Sequence, residues 1–491
     1  MSDETATTIA CLLGAAGAGL VLVPRGRLAF TIGTALLLAA QVLLAYSLVP
    51  SEDLGRLAGS AGRIGLLALA GLALLAVGLG FARVPAAAPI AFVVAAPFRV
   101  PVELGAQEAF LLLPLYAVLV AAVIGLLVRL WSGDDPPALP RVLSIPAAAF
   151  VGLASVSLIW TDDLRAGTIQ LLFFLFPLPV LMVVVARTPL AGWTTRLVVA
   201  ILVGLASVFT AVGLSQLWTG ELYFAPDLEV ANAYTVFLRT TSLFADSSVY
   251  GRELGLAIVA LLVAVYLGRT RLLVAAPLIA LIWIGLFFSY SQSGMVALVV
   301  AVLAVGLLAG DRPNRRLLLA GTLVVVVVGG VAAGVVARGD SAARITSGRA
   351  GLVENTWRVF VDHPLVGVGV GSQPEAAREA GGKRGKDKNA SHTTPLTVAA
   401  ELGIAGLAAY VAFLVGAARV LRTALGRDEA LGIGLIGCFV LLFVHSLFYS
   451  GFFENGAMWG ALGLAAAIAW ESPRRRSGLL APAPSGLTRR V

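Results

Sequence analysis

Long apolar runs separated by short polar loops make up most of the chain. A membrane-spanning helix needs about 20 mainly apolar residues, and fifteen runs approach or reach that length. The runs lie at 7–24, 28–49, 64–82, 86–99, 109–130, 142–160, 168–186, 194–215, 252–268, 272–290, 293–310, 316–337, 396–421, 429–449 and 455–471. The run at 86–99 is short and rich in proline, so it is either a span or a re-entrant segment. The pattern predicts an all-α polytopic membrane protein with about 14–15 transmembrane helices, and about 12 at the least.

Composition supports this prediction. Of the 491 residues, 59% are hydrophobic and 13% are charged, whereas roughly a quarter of a soluble domain is charged. The net charge of +8 would suggest a nucleic-acid partner for a soluble protein. Basic cytoplasmic loops explain this charge in a membrane protein, so we expect no nucleic-acid partner. The two cysteines, Cys11 and Cys438, lie within apolar runs and indicate neither a disulfide nor a metal site.

The distribution of arginine orients the predicted spans. Most linker arginines fall in every second linker, and the positive-inside rule places those linkers in the cytoplasm. They hold Arg25 and Arg27, Arg83, 129–141, 187–196, 269–271, 312–316 and 422–427. Arg56, Arg63 and Arg165 fall on the other side and are exceptions. The N-terminus is therefore predicted to lie outside and the C-terminus inside.

The same pattern divides the chain into three parts. Residues 1–140 are predicted to form N-terminal transmembrane helices, and 141–471 a transmembrane core. Residues 472–491 form a basic cytoplasmic tail, which we expect to be disordered because it is rich in Pro, Ser and Arg. Two long loops of the core, 216–251 and 338–395, fall on the outer side. The second loop is net positive; either long loops simply escape the positive-inside rule, or the charge marks an outward-facing anion site.

The loop at 338–395 contains two local patterns. Residues 354–360, around Trp357, predict a short amphipathic helix that Pro364 ends. The run Gly367-Val368-Gly369-Val370-Gly371 follows. No βα unit precedes it, so it does not indicate a dinucleotide site. We interpret it as a tight glycine turn that folds the loop back on the bundle.

A histidine and a glutamate near the start of the run at 396–421 are candidate catalytic groups. His392 lies just before this span, at the outer membrane surface, and a neutral imidazole there can take a proton from a hydroxyl. Glu401, about two turns further on, is placed to orient it. A polar cap on the helix is the equally weighted alternative for His392.

Four arginines on the outer side are candidate ligands of a lipid diphosphate. A guanidinium stays charged and binds phosphate oxygens in a bidentate fashion. The candidates are Arg239, Arg252, Arg344 and Arg349. For each arginine the alternative is a solvated loop charge or an interfacial anchor.

Metal and cofactor sites are not expected. Asp162 and Asp163 are the only close pair of outer aspartates, and they fit a cap on the helix near 166 better than a metal site. We therefore predict no metal and no cofactor.

His445 lies within an apolar run and either has a function or bonds a neighbouring helix.

From Gly348 onward the chain resembles the O-antigen ligase / polysaccharide polymerase family of bacterial membrane proteins. The motifs of that family occur here in order as Gly348-Arg349, Trp357, Pro364-Leu365-Val366-Gly367-Val368-Gly369, His392 and Glu401-Leu402-Gly403-Ile404-Ala405-Gly406-Leu407. Upstream similarities are Leu158 to Asp163, Arg239 to Phe244 and Phe288 to Gly294, so the resemblance covers roughly 140–470. The departures are Gln292 where the family often has Arg, Thr393 for Asn, and Val353 for Trp.

The resemblance implies a GT-C-like bundle with a large external loop that contains short helices. It implies transfer of a glycan from an undecaprenyl-diphosphate carrier to a hydroxyl of a glycan, glycolipid or cell-wall polymer, without a metal or nucleotide sugar. The expected place is the outer face of a bacterial cytoplasmic membrane. By position, Arg239 and Arg349 would hold the diphosphate, His392 would position or deprotonate the acceptor hydroxyl, and Glu401 would be its partner. A single displacement would invert the anomeric centre, and the resemblance does not separate ligase from polymerase.

Two other functions fit part of the pattern. A transporter for a small anion would explain the many helices, His445 and the basic outer loop, but it should concentrate polar groups near the bilayer midplane. Here the polar groups fall at the outer edge. A non-catalytic scaffold for envelope assembly is the second alternative, and Gln292 is the only residue that favours it.

Overall fold

The computed structural model describes residues 3–48, 61–104, 107–134, 136–225, 238–309, 316, 349–381, 391 and 393–470. The predicted span 316–337, apart from its first residue, and the tail 472–491 fall outside this part of the chain, as do 226–237, 338–348, 382–390 and His392.

The described residues form a helical bundle with one small sheet. The elements are α1 Asp3–Leu22, α2 Arg27–Leu48, α3 Ala61–Arg83, α4 Ala87–Ala95, β1 Val100–Leu104, β2 Gln107–Leu111, α5 Leu113–Trp131, α6 Arg141–Ser157, α7 Leu164–Gln170, α8 Pro177–Ala186, α9 Gly192–Thr219, α10 Ser247–Tyr266, α11 Leu272–Phe288, α12 Gln292–Leu308, α13 Arg349–Asp362, α14 Gln373–Ala380, α15 Thr394–Arg427, α16 Glu429–Ser446 and α17 Gly456–Trp470. A short 3₁₀ turn extends α6, and a π-helical turn, Leu171–Leu175, joins α7 to α8.

The predicted fold class is confirmed. In the described part of the chain, ten helices are long and apolar enough to cross a membrane, and three more apolar helices are shorter. Helix α3 shows why water is the wrong solvent, because Leu66, Leu67 and Leu72 are each more than 60% exposed on its surface. Such a continuous apolar surface is stable against lipid and not against water.

The run at 86–99 does not form a full span. Helix α4 has nine residues, and at 1.5 Å per residue it covers about 14 Å, less than half of a hydrocarbon core of about 30 Å. It ends at Ala95, and Pro97 follows two residues later. An antiparallel hairpin of β1 and β2 comes next, with Val100 opposite Leu111. The apolar pattern did not predict this hairpin.

One apolar core runs through the bundle from the N-terminal helices to α17. Helix α1 packs directly on α6, where the hydroxyl of Ser155 donates to the carbonyl oxygen of Cys11 over 2.8 Å. The close approach continues at Gly14, because a Cβ there would overlap the ring of Phe176.

Helix α15 is broken where the segment 364–371 meets it. Gly403 has φ +62° and ψ −159°, a conformation outside the helical region. The break releases backbone groups that an unbroken helix would pair, and buried groups of this kind need other partners. The N–H of Ile404 donates to the carbonyl oxygen of Pro364 over 2.8 Å. The carbonyl oxygen of Ala400 accepts from the N–H of Val368 over 3.0 Å.

Candidate functional site

The glycine run at 367–371 passes between two parts of the bundle. Gly367, Gly369 and Gly371 have φ of +69°, +92° and +84°, a region that side chains with a Cβ rarely adopt. A Cβ at Gly367 would overlap the backbone of Glu401, and one at Gly369 would lie 2.6 Å from the Cα of Thr161. The predicted turn that folds the loop back on the bundle is confirmed.

Hydroxyl groups at the end of α6 fasten the same segment. The Ser157 hydroxyl accepts from the N–H of Val370 over 3.1 Å, and the Thr161 hydroxyl donates to the carbonyl oxygen of Val370 over 2.8 Å. The N–H of Asp163 donates to the Ser372 hydroxyl over 2.9 Å. The Asp163 carboxylate accepts from the N–H of Ala166 and caps α7. The prediction that this aspartate caps the helix near 166 is therefore confirmed for Asp163.

A cavity of about 500 Å³ opens beside this junction. Segments from α6, α7, the glycine run, α15 and the loop between α16 and α17 line it. Its polar lining consists of Asp163, Arg165, Gln170, Gln373, Thr394, Thr397, Glu401, Ser450 and Glu454, and its aromatic lining of Phe150, Phe174, Phe452 and Phe453. The cavity therefore offers charged, hydrogen-bonding and apolar surfaces to one ligand.

Glu401 is the predicted catalytic residue that reaches the cavity. Its side chain is buried, with 5% exposed. The backbone amides of Gly371 and Gln373 lie within hydrogen-bonding range of its carboxyl. Glu401 thus fastens the far end of the glycine run by its side chain, while its carbonyl oxygen accepts from the N–H of Gly369.

Glu454 is a second glutamate in the cavity wall. It lies in the loop between α16 and α17, and its carboxyl is partly buried. Burial raises the pKa of the Glu454 carboxyl above its ordinary value, and the nearby charges of Arg99 and Arg252 oppose that rise. A carboxyl in this position is more easily protonated than an exposed glutamate.

Two of the predicted diphosphate ligands lie near the start of α10. Arg252 is buried and pairs with Glu253, with 3.1 Å between its Nη2 and the Oε1 of Glu253. Arg239 donates from Nη2 to the Ser247 hydroxyl over 3.2 Å. Neither side chain lines the cavity itself. Arg252 reaches the cavity wall electrostatically, through Glu454.

Three predicted site residues remain, and two of them lie outside the described part of the chain. Arg344 and His392 lie outside the described residues. The backbone of Arg349 begins α13. Thr394 and Thr397, on the first turn of α15, line the cavity.

Three residues of the site were not predicted as such. Glu454 follows two phenylalanines in a short outer linker, and a carboxyl in so apolar a linker was the available signal. Arg99 follows Pro97 at the end of a run interpreted as a span. Arg165 was treated only as an exception to the charge rule, but it lines the cavity.

His445 does not lie in the middle of a span. It is the second-last residue of α16, and its Nε2 lies 3.2 Å from the carbonyl oxygen of Ser248 in α10. The ring also packs against Tyr449, with 5.4 Å between ring centroids. These contacts fit the alternative in which His445 bonds a neighbouring helix. Because His445 lies at a helix end, it does not support a transporter site near the middle of a span.

Within the described ranges, no three His, Cys, Asp or Glu side chains lie together in a way that could hold a metal ion.

Comparison with protein families identifies the segment that builds the junction. Residues 277–411 match the family model for O-antigen ligase. Over this range the chain is similar to the O-antigen ligase family. The matched range contains Arg349, His392, the glycine run and the break at Gly403, while Arg239, Arg252 and Glu454 lie outside it. No curated protein matches the chain.

This similarity supports glycosyl transfer of the ligase or polymerase type in general. The many apolar helices agree with a multi-pass membrane protein. The resemblance seen in the sequence motifs is thereby confirmed.

Proposed function

We propose that the protein transfers a glycan from an undecaprenyl-diphosphate carrier to an acceptor hydroxyl in the cavity beside the glycine run. One observation carries the proposal. The segment matched by the O-antigen ligase family, with its glycine run and Glu401, forms a wall of an amphipathic cavity of about 500 Å³. Cavities of this size, mainly apolar with a few placed polar groups, are typical of small-molecule sites.

The chemistry of the lining supports this class of substrate. Sugars present hydroxyls to amides and carboxylates, such as Gln170 and Glu454. The apolar part of a lipid carrier fits the aromatic lining, where Phe150 and Phe453 stack with their ring centroids 4.1 Å apart. An opening between helices would let the lipid tail remain in the bilayer.

The charge pattern supports an outer position for the site. The cavity lies at the ends of helices joined by the loops near 161–163 and 447–455, and it includes the first turn of α15 at Thr394. The linkers richest in arginine, such as 422–427, join the opposite ends. By the positive-inside rule, this pattern supports our proposal that the cavity faces outward from the cytoplasmic membrane of a bacterium.

The leaving group in this reaction is a lipid diphosphate, and arginines suit it. Negative charge develops on the diphosphate as its bond to the sugar breaks, and fixed positive charges stabilise that state. We assign this role to Arg239, Arg252, Arg344 and Arg349. Arginines alone would neutralise the leaving group, so the reaction would need no metal.

The proposed reaction is a single displacement. The acceptor oxygen forms a bond to the anomeric carbon while the bond from that carbon to the diphosphate oxygen breaks. The diphosphate leaves with the bonding electron pair, His392 takes the acceptor proton, and the anomeric centre is inverted. Glu401 lies in α15, the helix that follows His392 in the sequence, and it holds the glycine run against that helix. We therefore assign Glu401 a supporting role toward His392.

A transfer assay with purified protein tests the proposal. The full chain, reconstituted in lipid nanodiscs, is given the lipid-linked glycans and envelope acceptors that accumulate when its gene is deleted. Transfer with release of undecaprenyl diphosphate is expected for the wild type. Arg349→Ala and His392→Ala should lose transfer and still elute as the wild type does. Concentrative uptake of a small anion into proteoliposomes, without any glycan transfer, would show that the function is wrong.

A further inference from the structure

Glu454 is presented to the cavity by a rigid loop. Phe452 and Phe453, which precede it, are buried in an aromatic cluster with Trp459. The indole N–H of Trp459 donates to the carbonyl oxygen of Phe453 over 2.9 Å. Asn455, which follows, caps α17 by accepting from the N–H of Ala457 over 2.9 Å. The backbone of Glu454 is therefore fixed on both sides.

The carboxyl of Glu454, by contrast, is not held by a direct contact of this kind in the described part of the protein. None of the described residues forms a hydrogen bond or an ion pair with it. Leaving a partly buried carboxyl without a hydrogen bond is unfavourable. A rigid backbone that holds such a carboxyl in a cavity wall is the arrangement expected of a ligand-binding group.

The two glutamates of the cavity differ in this respect. Glu401 is engaged by the amides of Gly371 and Gln373, so its oxygens are already committed to the glycine run. Glu454 lines the same cavity and its carboxyl is close enough to influence Glu401 electrostatically. Of the two carboxyls, Glu454 is the one available to a substrate.

Two arginines that do not line the cavity lie near Glu454. Arg99, where α4 gives way to the hairpin, and Arg252, in α10, both act on its carboxyl. Like Glu454, Arg99 forms no hydrogen bond or ion pair with any described residue. If the arginines hold the diphosphate of the donor, Glu454 is the member of this charged group that an acceptor in the cavity can contact, because Glu454 lines the cavity and the two arginines do not.

We propose that Glu454 is an acceptor-binding residue, whose carboxylate accepts hydrogen bonds from the hydroxyls that flank the attacking hydroxyl of the acceptor sugar. This inference rests on the proposed glycosyl transfer. A carboxylate has two oxygens and only accepts hydrogen bonds when ionised, so it can bind two neighbouring hydroxyls of one sugar ring. It fixes the acceptor and takes no part in proton transfer, which belongs to His392.

Charged and titratable groups from several described elements surround Glu454. They are Arg99, Arg252, Glu401, Tyr116 in α5, Tyr449 in its own loop, and Asp163 and Arg165 across the cavity. A carboxylate beside the arginines repels a donor diphosphate but accepts hydrogen bonds from acceptor hydroxyls. Replacing Glu454 should therefore affect the two substrates differently.

Glu454→Gln tests this separation because it removes the charge and keeps the shape. In the nanodisc transfer assay, the KM for the acceptor fraction of the deletion strain should rise about tenfold, since a hydrogen bond to a charged group is stronger than one to a neutral group. The kcat should stay within about twofold. Undecaprenyl diphosphate, measured by direct binding, should bind equally well or more tightly, because a negative charge beside the arginines is removed.

Glu354→Gln is the matched control, since Glu354 is an exposed carboxylate on α13 that pairs with Arg358. It should leave all three quantities unchanged. An unchanged acceptor KM in Glu454→Gln would overturn the inference. Loss of undecaprenyl diphosphate binding in that variant would also overturn it, because Glu454 would then be a counter-ion that holds the arginines. If the wild type transfers no glycan at all, the proposed function fails, and that result is distinct from either outcome.

Discussion

The backbone N–H of Gly369 donates a hydrogen bond to the carbonyl oxygen of Glu401 over 2.9 Å. In an unbroken helix that carbonyl would accept from the residue four positions later. The break at Gly403 frees this carbonyl, and the glycine run supplies the donor. Glu401 thus joins the glycine run to α15 through its backbone and lines the cavity with its side chain. The shape of the cavity depends on this junction.

Gly369→Ala should destabilise the protein and abolish transfer. An alanine at φ +92° is strained by about 1–3 kcal/mol, and its Cβ would lie 2.6 Å from the Cα of Thr161. Backbone atoms cannot move aside as a flexible side chain can, so the segment must lift from the bundle. The temperature at which half of the purified protein remains monodisperse in detergent should fall clearly.

Gly351→Ala is the control for this substitution. Gly351 lies in α13, where a Cβ would meet no atom within 4 Å. Alanine favours a helix over glycine by about 1 kcal/mol, so stability should be unchanged or slightly higher. Equal stability losses in the two variants would show that the glycine run is not clamped as described.

Several features of the fold could be predicted from the sequence because one physical signal determines each of them. The unbroken apolar composition of 272–288 predicts a buried or lipid-facing helix, and α11 forms there. Asp163 precedes a helix start, and it caps that helix. Positive φ angles at alternating glycines explain why the run at 367–371 can turn sharply. These are local effects of backbone and side-chain chemistry.

The features that were missed depend on chain length and on tertiary contacts. Apolar content does not measure helix length, so the run at 86–99 resembled a span although α4 has nine residues. The alternation of Val100, Val102 and Leu104 is too short to signal a strand beside long apolar runs. Arg99 and Glu454 are far apart in sequence, and only the packing of the helices brings their charges together.

Substitutions of Arg252 should weaken binding of undecaprenyl diphosphate in a graded manner. Arg252→Gln removes a charged donor, and hydrogen bonds to charged groups contribute about 1.5–3 kcal/mol, or roughly tenfold or more in affinity. Arg252→Lys keeps the charge and loses the planar fork, so a smaller loss is expected. Equilibrium binding of undecaprenyl diphosphate to protein in nanodiscs measures both.

Arg422→Gln provides the comparison for the arginine series. Arg422 lies on α15 near the opposite end from Glu401 and is exposed, so its loss should not change the affinity. Equal affinity in the wild type and Arg252→Gln would remove Arg252 from the diphosphate site. Arg239→Gln, read in the same way, tests the neighbouring arginine, whose guanidinium bonds Ser247.

Acceptor binding should improve as the pH rises through the pKa of Glu454. The proposed hydrogen bonds need the carboxylate, and burial raises the pKa of this group above its ordinary value, which is about 4.3 for glutamate. Below the raised pKa the carboxyl is protonated and the acceptor KM is high; above it the KM falls to its plateau. Glu454→Gln should lose this pH dependence of KM, while the pH dependence of kcat, assigned to His392, should persist.

Removal of divalent metal ions should leave the transfer rate unchanged. Arginines are proposed to neutralise the leaving diphosphate, and Asp163 is engaged in capping α7. Wild-type protein treated with EDTA and then assayed in metal-free buffer should transfer glycan as fast as untreated protein. A loss that Mg²⁺ or Mn²⁺ restores would argue against an arginine-only site. In that case Asp162→Asn and Asp163→Asn should each reduce the metal-restored rate, and the variant with the larger effect would identify the carboxylate that holds the ion.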